Sequence, residues 1–200
     1  MKMLVIAFVV ALAPFAASAE EKFWSYDGPE PGPDGVVVIN GCRIEPGTRC
    51  PGADLRHADL RGKNLAGSDL SGARLTRANL TDANLRGANL DGADMRAAKL
   101  ERAFLQGSTA RRADMRGANF EHARAAGSDW SHADLTAADL EMLQGSKINL
   151  QGADLTDANL QETKLYNANL AQATLEGSVQ TFTIFQDSWM KDCRGCPVNW

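Results

Sequence analysis

A period of five residues governs this chain and leaves few folds open to it. From residue 51 the sequence runs Pro51-Gly52-Ala53-Asp54-Leu55, Arg56-His57-Ala58-Asp59-Leu60 and onward in strict fives. Of the 25 positions at this spacing from Leu55 to Leu175, 18 are leucine, and Met95, Met115, Phe120 and Trp130 fill four more. Ala110, Ala125 and Gly145 occupy the rest. Two residues before each of these centres, 18 of the 25 are alanine, and the residue between is mostly Asp or Asn.

On an α-helix five residues advance about 500°, so successive leucines would spray around the axis and no face could be buried. A continuous strand fails as well, because an odd period sends alternate leucines to opposite faces. The pattern works when each pentad is a short extended segment followed by a turn. Ala and Leu, two apart, then both point inward, and the small or polar residues after them turn a corner. Four such corners return the chain to its start after about 20 residues.

Repeated Ala-Asp/Asn-Leu-x-x units, such as Ala78-Asn79-Leu80-Thr81-Asp82 and Ala83-Asn84-Leu85-Arg86-Gly87, resemble those of the pentapeptide-repeat family. The resemblance covers residues 51 to about 178. It implies an all-β fold, a right-handed quadrilateral β-helix of about six coils. With coils about 4.8 Å apart, that is a rod roughly 30 Å long.

Residues 20 apart should stack. Trp130 is too large for a leucine slot, and the three small centres fall around it: Ala110 one coil below, Ala125 before it in its own coil, and Gly145 above Ala125. We read this as volume compensation in a close-packed core. Leu143 and Ile148, where Ala is usual, predict a bulge or bend beside Gly145.

The flanks read as other units. Lys2 followed by an apolar run from Met3 to Phe15 and by Ala17-Ser18-Ala19 predicts a signal peptide over 1–19, cleaved after Ala19. The run is shorter than the ~20 residues a bilayer span needs, so no membrane anchor is expected after cleavage. Residues 20–52 form an N-terminal linker and cap, with Val36-Val37-Val38-Ile39 expected as a strand over the first coil. Residues 53–178 are the repeat, and 179–200 a C-terminal cap holding Phe182, Phe185, Trp189 and Trp200. An exposed aromatic patch there would suit a homodimer through this cap.

All four cysteines lie in the flanks. Cysteines at opposite ends of a ~30 Å rod cannot meet, which predicts Cys42–Cys50 and Cys193–Cys196. Such bonds suit an oxidising compartment and a periplasmic or secreted protein. The Cys193-Arg194-Gly195-Cys196 spacing also allows a thiol–disulfide active site, although the helix and sheet that normally carry one are missing from the pattern.

No catalytic constellation, cofactor motif or metal-ligand set emerges. His57, His122 and His132 fall at separate corners, with no nucleophile paired to them. Gly67, Gly87, Gly107 and Gly127, 20 apart, serve the turns rather than a phosphate loop. Asp94, Asp114, Asp134 and Asp154 stack as an acidic ladder, a candidate surface for a cation or basic partner, with Arg96 and Arg116 near enough to screen it.

Charge is uneven: residues 51–125 hold 13 basic and 9 acidic side chains, and residues 126–180 hold 2 and 8. Oriented docking sensitive to salt follows from that split. Some members of the resembled family mimic duplex DNA with a strongly acidic rod and bind DNA gyrase, giving quinolone resistance. Here 17 acidic face 15 basic residues in the repeat, no DNA-like field, and the export signal leads away from a cytoplasmic topoisomerase. Nucleic acid is therefore not an expected ligand. The sequence reads as a non-catalytic exported scaffold for a protein partner it does not identify, with a thiol–disulfide protein and a gyrase modulator as alternatives.

Overall fold

The computed structural model describes residues 31–197, which contain no α-helix. The predicted signal segment 1–19 and Trp200 lie outside the described residues.

From Arg49 to Arg194 the chain winds as a parallel β-solenoid. Every fifth residue forms a parallel bridge with the residue 20 further on, from Arg49↔Asp69 to Thr174↔Arg194. The bridges fall into four columns. The first starts Asp54↔Arg74↔Asp94, the second Asp59↔Asn79↔Lys99, the third Asn64↔Asn84↔Phe104 and the fourth Arg49↔Asp69↔Asn89. The turn residues lie between the columns, and the Leu and Ala positions point into the centre, where the leucines are 0–1% exposed.

One pentad shows why Asp and Asn recur beside the leucine. The amide of Asn79 donates to Ala58 O at 2.8 Å, one coil below, and those of Leu80 and Asp82 donate to Lys99 O and Glu101 O, one coil above, at 2.7 and 2.9 Å. Ala83 N closes the turn on Leu80 O at 2.9 Å. That leaves Thr81 N, which donates to the side-chain oxygen Asn79 Oδ1 at 3.2 Å. All five amides are satisfied, the last only because residue 79 carries a short side-chain acceptor.

The turn closed by Ala83 places Asp82 at φ +58°, and every corresponding residue from Gly52 to Asp192 shares the left-handed conformation. Positive φ at the third residue alone is the type II geometry. Eighteen of these positions carry a side chain, so glycine eases the turn without being required by it.

Register persists where the sequence suggested an irregularity. Gly145 N donates to Lys164 O and Ile148 N to Gly145 O, at 2.9 and 3.1 Å, as in any other pentad. The bulge expected beside Gly145 is absent. An added Cβ on Gly145 would lie 3.0 Å from Leu143 Cδ2, 3.1 Å from Leu165 Cδ2 and 3.3 Å from Ile148 Cγ2. Large and small residues have exchanged places within the core, so the backbone has nothing to absorb.

The ends differ. At the N-terminal end β1 (Val38–Ile39) pairs antiparallel with β2 (Cys42–Arg43) around Asn40-Gly41, both at positive φ. The expected strand over 36–39 is thus half that length and belongs to a hairpin, whose turn the Asn-Gly dipeptide specifies. Asn40 Nδ2 donates to Asp54 O at 2.7 Å and covers the edge of the first coil. At the other end the bridges run on through Asn169↔Trp189 and Thr174↔Arg194, so residues 179–194 continue the solenoid.

Candidate functional site

The acidic ladder stands in the first column, where Asp94↔Asp114, Asp114↔Asp134 and Asp134↔Asp154 are successive bridges. Its lower half is neutralised. Arg96 binds Asp94 through Nε and Nη2, both at 2.8 Å, and Arg116 binds Asp114 at 2.8 and 2.7 Å. The same arginines reach upward, Arg96 Nε to Asp114 at 3.6 Å and Arg116 Nε to Asp134 at 3.5 Å. Hydrogen bonding from Arg96 holds the Asp94 carboxyl well below the usual carboxylate range, and Arg116 does the same to Asp114. Lower in the column Arg56 pushes Asp54 down to about 2. Higher up, Asp134 and Asp154 accept from Thr136 Oγ1 and Thr156 Oγ1 at 2.6 and 2.5 Å. Among the described residues no group of three or more His, Cys, Asp or Glu could hold a metal ion.

Trp130 is fully buried, its ring 4.9 Å from that of Phe120, with Ala110 and Ala125 also buried. The centre of the solenoid here is packed side chain. Trp130 Nε1 and Ser108 Oγ are buried with no hydrogen-bond partner, whereas Ser128 Oγ, one coil above Ser108, donates to Leu105 O at 2.6 Å. His57, His122 and His132 are exposed at separate turns.

Both disulfides join the expected residues, Cys42 with Cys50 and Cys193 with Cys196, with Cα atoms 5.6 and 5.8 Å apart. The first ties the hairpin to the first coil, and the second closes the end of the last. Around the second, Phe185 is buried, but Phe182 is 77% and Trp189 61% exposed.

One cluster was not singled out from the sequence. In the third column, polar from Asn64 to Lys164 at every other position, stands Phe104, half-buried, with the Arg86 guanidinium 4.3 Å over its ring centroid and that of Arg124 at 5.2 Å. Its signal was available: an aromatic at a position that otherwise supplies a polar side chain.

The bridge register and the filled centre define a parallel β-solenoid of five-residue repeats, with its chemistry confined to outward columns and turns. The chain belongs to the pentapeptide-repeat family, whose model, described as pentapeptide repeats, matches residues 48–87, 78–117, 113–144 and 146–179. Members of this family fold as right-handed β-helices and are in general non-enzymatic structural or binding proteins. Among solved structures, trypsin-treated QnrB1, a plasmid-mediated fluoroquinolone resistance protein, is similar at 19% identity and TM-score 0.52, over 78% of this chain and 86% of its own. HetL, involved in heterocyst differentiation regulation in the cyanobacterium Nostoc, is 25% identical with TM-score 0.37, over 74% of this chain and 87% of that one. A pentapeptide repeat protein of the Arabidopsis thaliana thylakoid lumen is 28% identical with TM-score 0.32, over 66% of this chain and 72% of that one. A comparison with curated proteins finds no match.

Proposed function

We propose that this protein is an exported, non-catalytic, rigid scaffold that binds its partner through side chains on the outside of the solenoid. The observation that carries the reading is the packed centre: from Leu55 to Leu175 the inward residues leave only columns, turns and ends to act. On this reading the four bridge columns are the sides of a quadrilateral rod of about six coils, at the spacing of neighbouring strands. Export rests on the apolar segment ending at Ala19 and is supported by a disulfide at each end, the chemistry of an oxidising compartment.

Fractionation of the native host, with intact masses before and after reduction and alkylation, tests this directly. A chain starting at Glu20, outside the cytoplasm and free of reactive thiols, is the expected result. A full-length cytoplasmic chain with four free thiols would overturn export. Free thiols at Cys193 and Cys196 in an exported chain, with turnover of a disulfide substrate, would favour the thiol–disulfide alternative. Inhibition of gyrase supercoiling by the purified chain would instead favour the topoisomerase reading.

A second copy of the chain is a further partner, favoured by the open end. Amides of Gln180, Phe182, Phe185, Asp187, Met190 and Asp192 find no acceptor among the described residues, although their equivalents one coil below all do. Val179, Phe182 and Trp189 are exposed around that edge. An unpaired parallel edge rimmed by apolar side chains is a pairing surface. Sedimentation should show a dimer that Phe182→Glu and Trp189→Glu together convert to monomer. A wild-type monomer at high concentration and at both low and high salt would refute it.

A further inference from the structure

The third column and the turn that follows it differ from the rest of the surface. From Asn64 to Asn167 this strip carries no Asp or Glu, whereas each of the other three columns does. It carries instead Arg86, Arg124, Lys147 and Lys164, with Phe104 and Tyr166 among them. None of the four cations has an ion-pair partner among the described residues, unlike Arg96, Arg102, Arg111 and Arg116. Of the carboxylates at the preceding turn, Asp82 is paired with Arg102, Glu121 lies 3.4 Å from His122, Glu162 has no partner among the described residues, and two are held toward the second column. Glu101 accepts from Thr81 Oγ1 and Asn119 Nδ2, at 2.9 and 3.2 Å, and Glu141 accepts from Asn159 Nδ2 at 3.3 Å. In a chain of formal charge −4, the only charges on this strip are therefore positive over a length of about 20 Å, with Asp82, paired to Arg102, at the border it shares with Phe104 and Arg124.

We propose that this strip binds a linear acidic polysaccharide laid along the rod axis. Three observations select that occupant. The amides of the column itself are already bonded to neighbouring coils, as Phe104 N is to Ala83 O at 2.9 Å, so no peptide strand can pair along it; those of Gln106, Ala126, Ser146 and Tyr166 at the turn have no acceptor among the described residues, one donor per coil beside the cations. Arg86 already covers the Phe104 ring, which removes the stacking platform a nucleic-acid base would use. Arg86 is exposed and gives one Nη1 donor to Asn84 Oδ1 at 3.3 Å, which leaves its other donors for a carboxylate or sulfate. The exposed large apolar residues, Val38, Val179, Phe182 and Trp189, all lie off the strip, so it has nothing to insert into a lipid surface. Cations repeating along a straight rod then fit a polymer that repeats its anions along a straight chain. The proposal rests on this geometry and holds in solution whether or not the protein is exported.

The test uses the full disulfide-bonded chain and five probes: heparin, polygalacturonate, neutral dextran, single-stranded DNA and phosphatidylglycerol vesicles. Binding to heparin or polygalacturonate at low salt, lost on raising salt, and none to dextran is expected. Replacing Arg86, Arg124, Lys147 and Lys164 together by Gln should weaken it by about tenfold or more. Arg74→Gln with Arg77→Gln, off the strip, should leave it unchanged. Circular dichroism melts of each variant establish that the fold is kept. Failure to bind either acidic polysaccharide would overturn the proposal, as would equal loss in both variants. Tighter binding to the DNA or the vesicles would overturn the choice of occupant.

Discussion

At the scale of single residues, the repeat is an exercise in satisfying backbone amides. Where Asp or Asn stands beside the leucine, it accepts the one amide that neither the turn nor the adjacent coils can reach, as Asn79 does for Thr81. The same logic decides which inward hydroxyls help. Ser128 Oγ donates to Leu105 O, whereas Ser108 Oγ is buried without a partner. Ser128→Ala should lower stability by about 1 kcal/mol in chemical denaturation, because Leu105 O, which also accepts from Ser108 N at 3.0 Å, loses one of its two donors inside the core. Ser108→Ala, which restores the usual residue, should instead raise it by about 1 kcal/mol. Equal effects from the two would contradict this account. Alanine and leucine positions were readable as inward from period alone. The reason for Asp and Asn was not, because it needs the φ, ψ of the turn that brings residue 81 over residue 79.

At the scale of one coil, packing is a balance of volumes across pentads. Leu143 and Ile148 occupy small positions and Gly145 a large one, and the side chains of the first two fill the space a Gly145 Cβ would need. Gly145→Ala alone should destabilise by about 1–3 kcal/mol through overpacking, with part of that loss recovered in the double variant with Leu143→Ala. Simple additivity in a thermal or urea series would mean that the two sites do not share space. Trp130→Ala should cost about 3–5 kcal/mol, since its buried ring leaves a void that stacked coils cannot close. The sequence showed the exchange of large and small residues but not its consequence. A bulge was one way to accommodate Leu143, and the structure shows that a neighbouring void was the other.

At the scale of the molecule, stability is a sum along a rod with two ends. Reducing the disulfides should release the termini first. Hydrogen exchange should rise at 36–50 and 176–194 on reduction, while the coils around Trp130 stay protected. Uniform loss of protection would show that the rod unfolds as one unit. The ion-paired first column adds a dependence on acid. Asp54, Asp94 and Asp114 have carboxyl pKa values depressed by their arginines in the folded state. Their contribution is therefore complete above the ordinary carboxylate value of about 3.9 and is lost as pH falls through the folded values, near 2 for Asp54. Denaturation midpoints should fall between about pH 4 and pH 2. The decline should be shallower in Arg96→Gln with Arg116→Gln, and equal slopes would mean that the pairs add nothing.

The amino-acid sequence by itself determined the period, the inward residues, the pairing of the four cysteines and the stacking of residues 20 apart. Each follows from periodicity or from distance, which a one-dimensional pattern carries faithfully. Only the tertiary structure decided which charges survive at the surface. Arg96 and Arg116 read as near enough to screen the ladder, but only the structure shows that each closes two bonds on the Asp two residues before it and leaves Asp154 without an arginine among the described residues. Arg86 and Arg124, unremarkable in sequence and 38 residues apart, meet on one aromatic ring. An ion pair depends on where long, flexible side chains lie after the coils have stacked, and no repeat period specifies that.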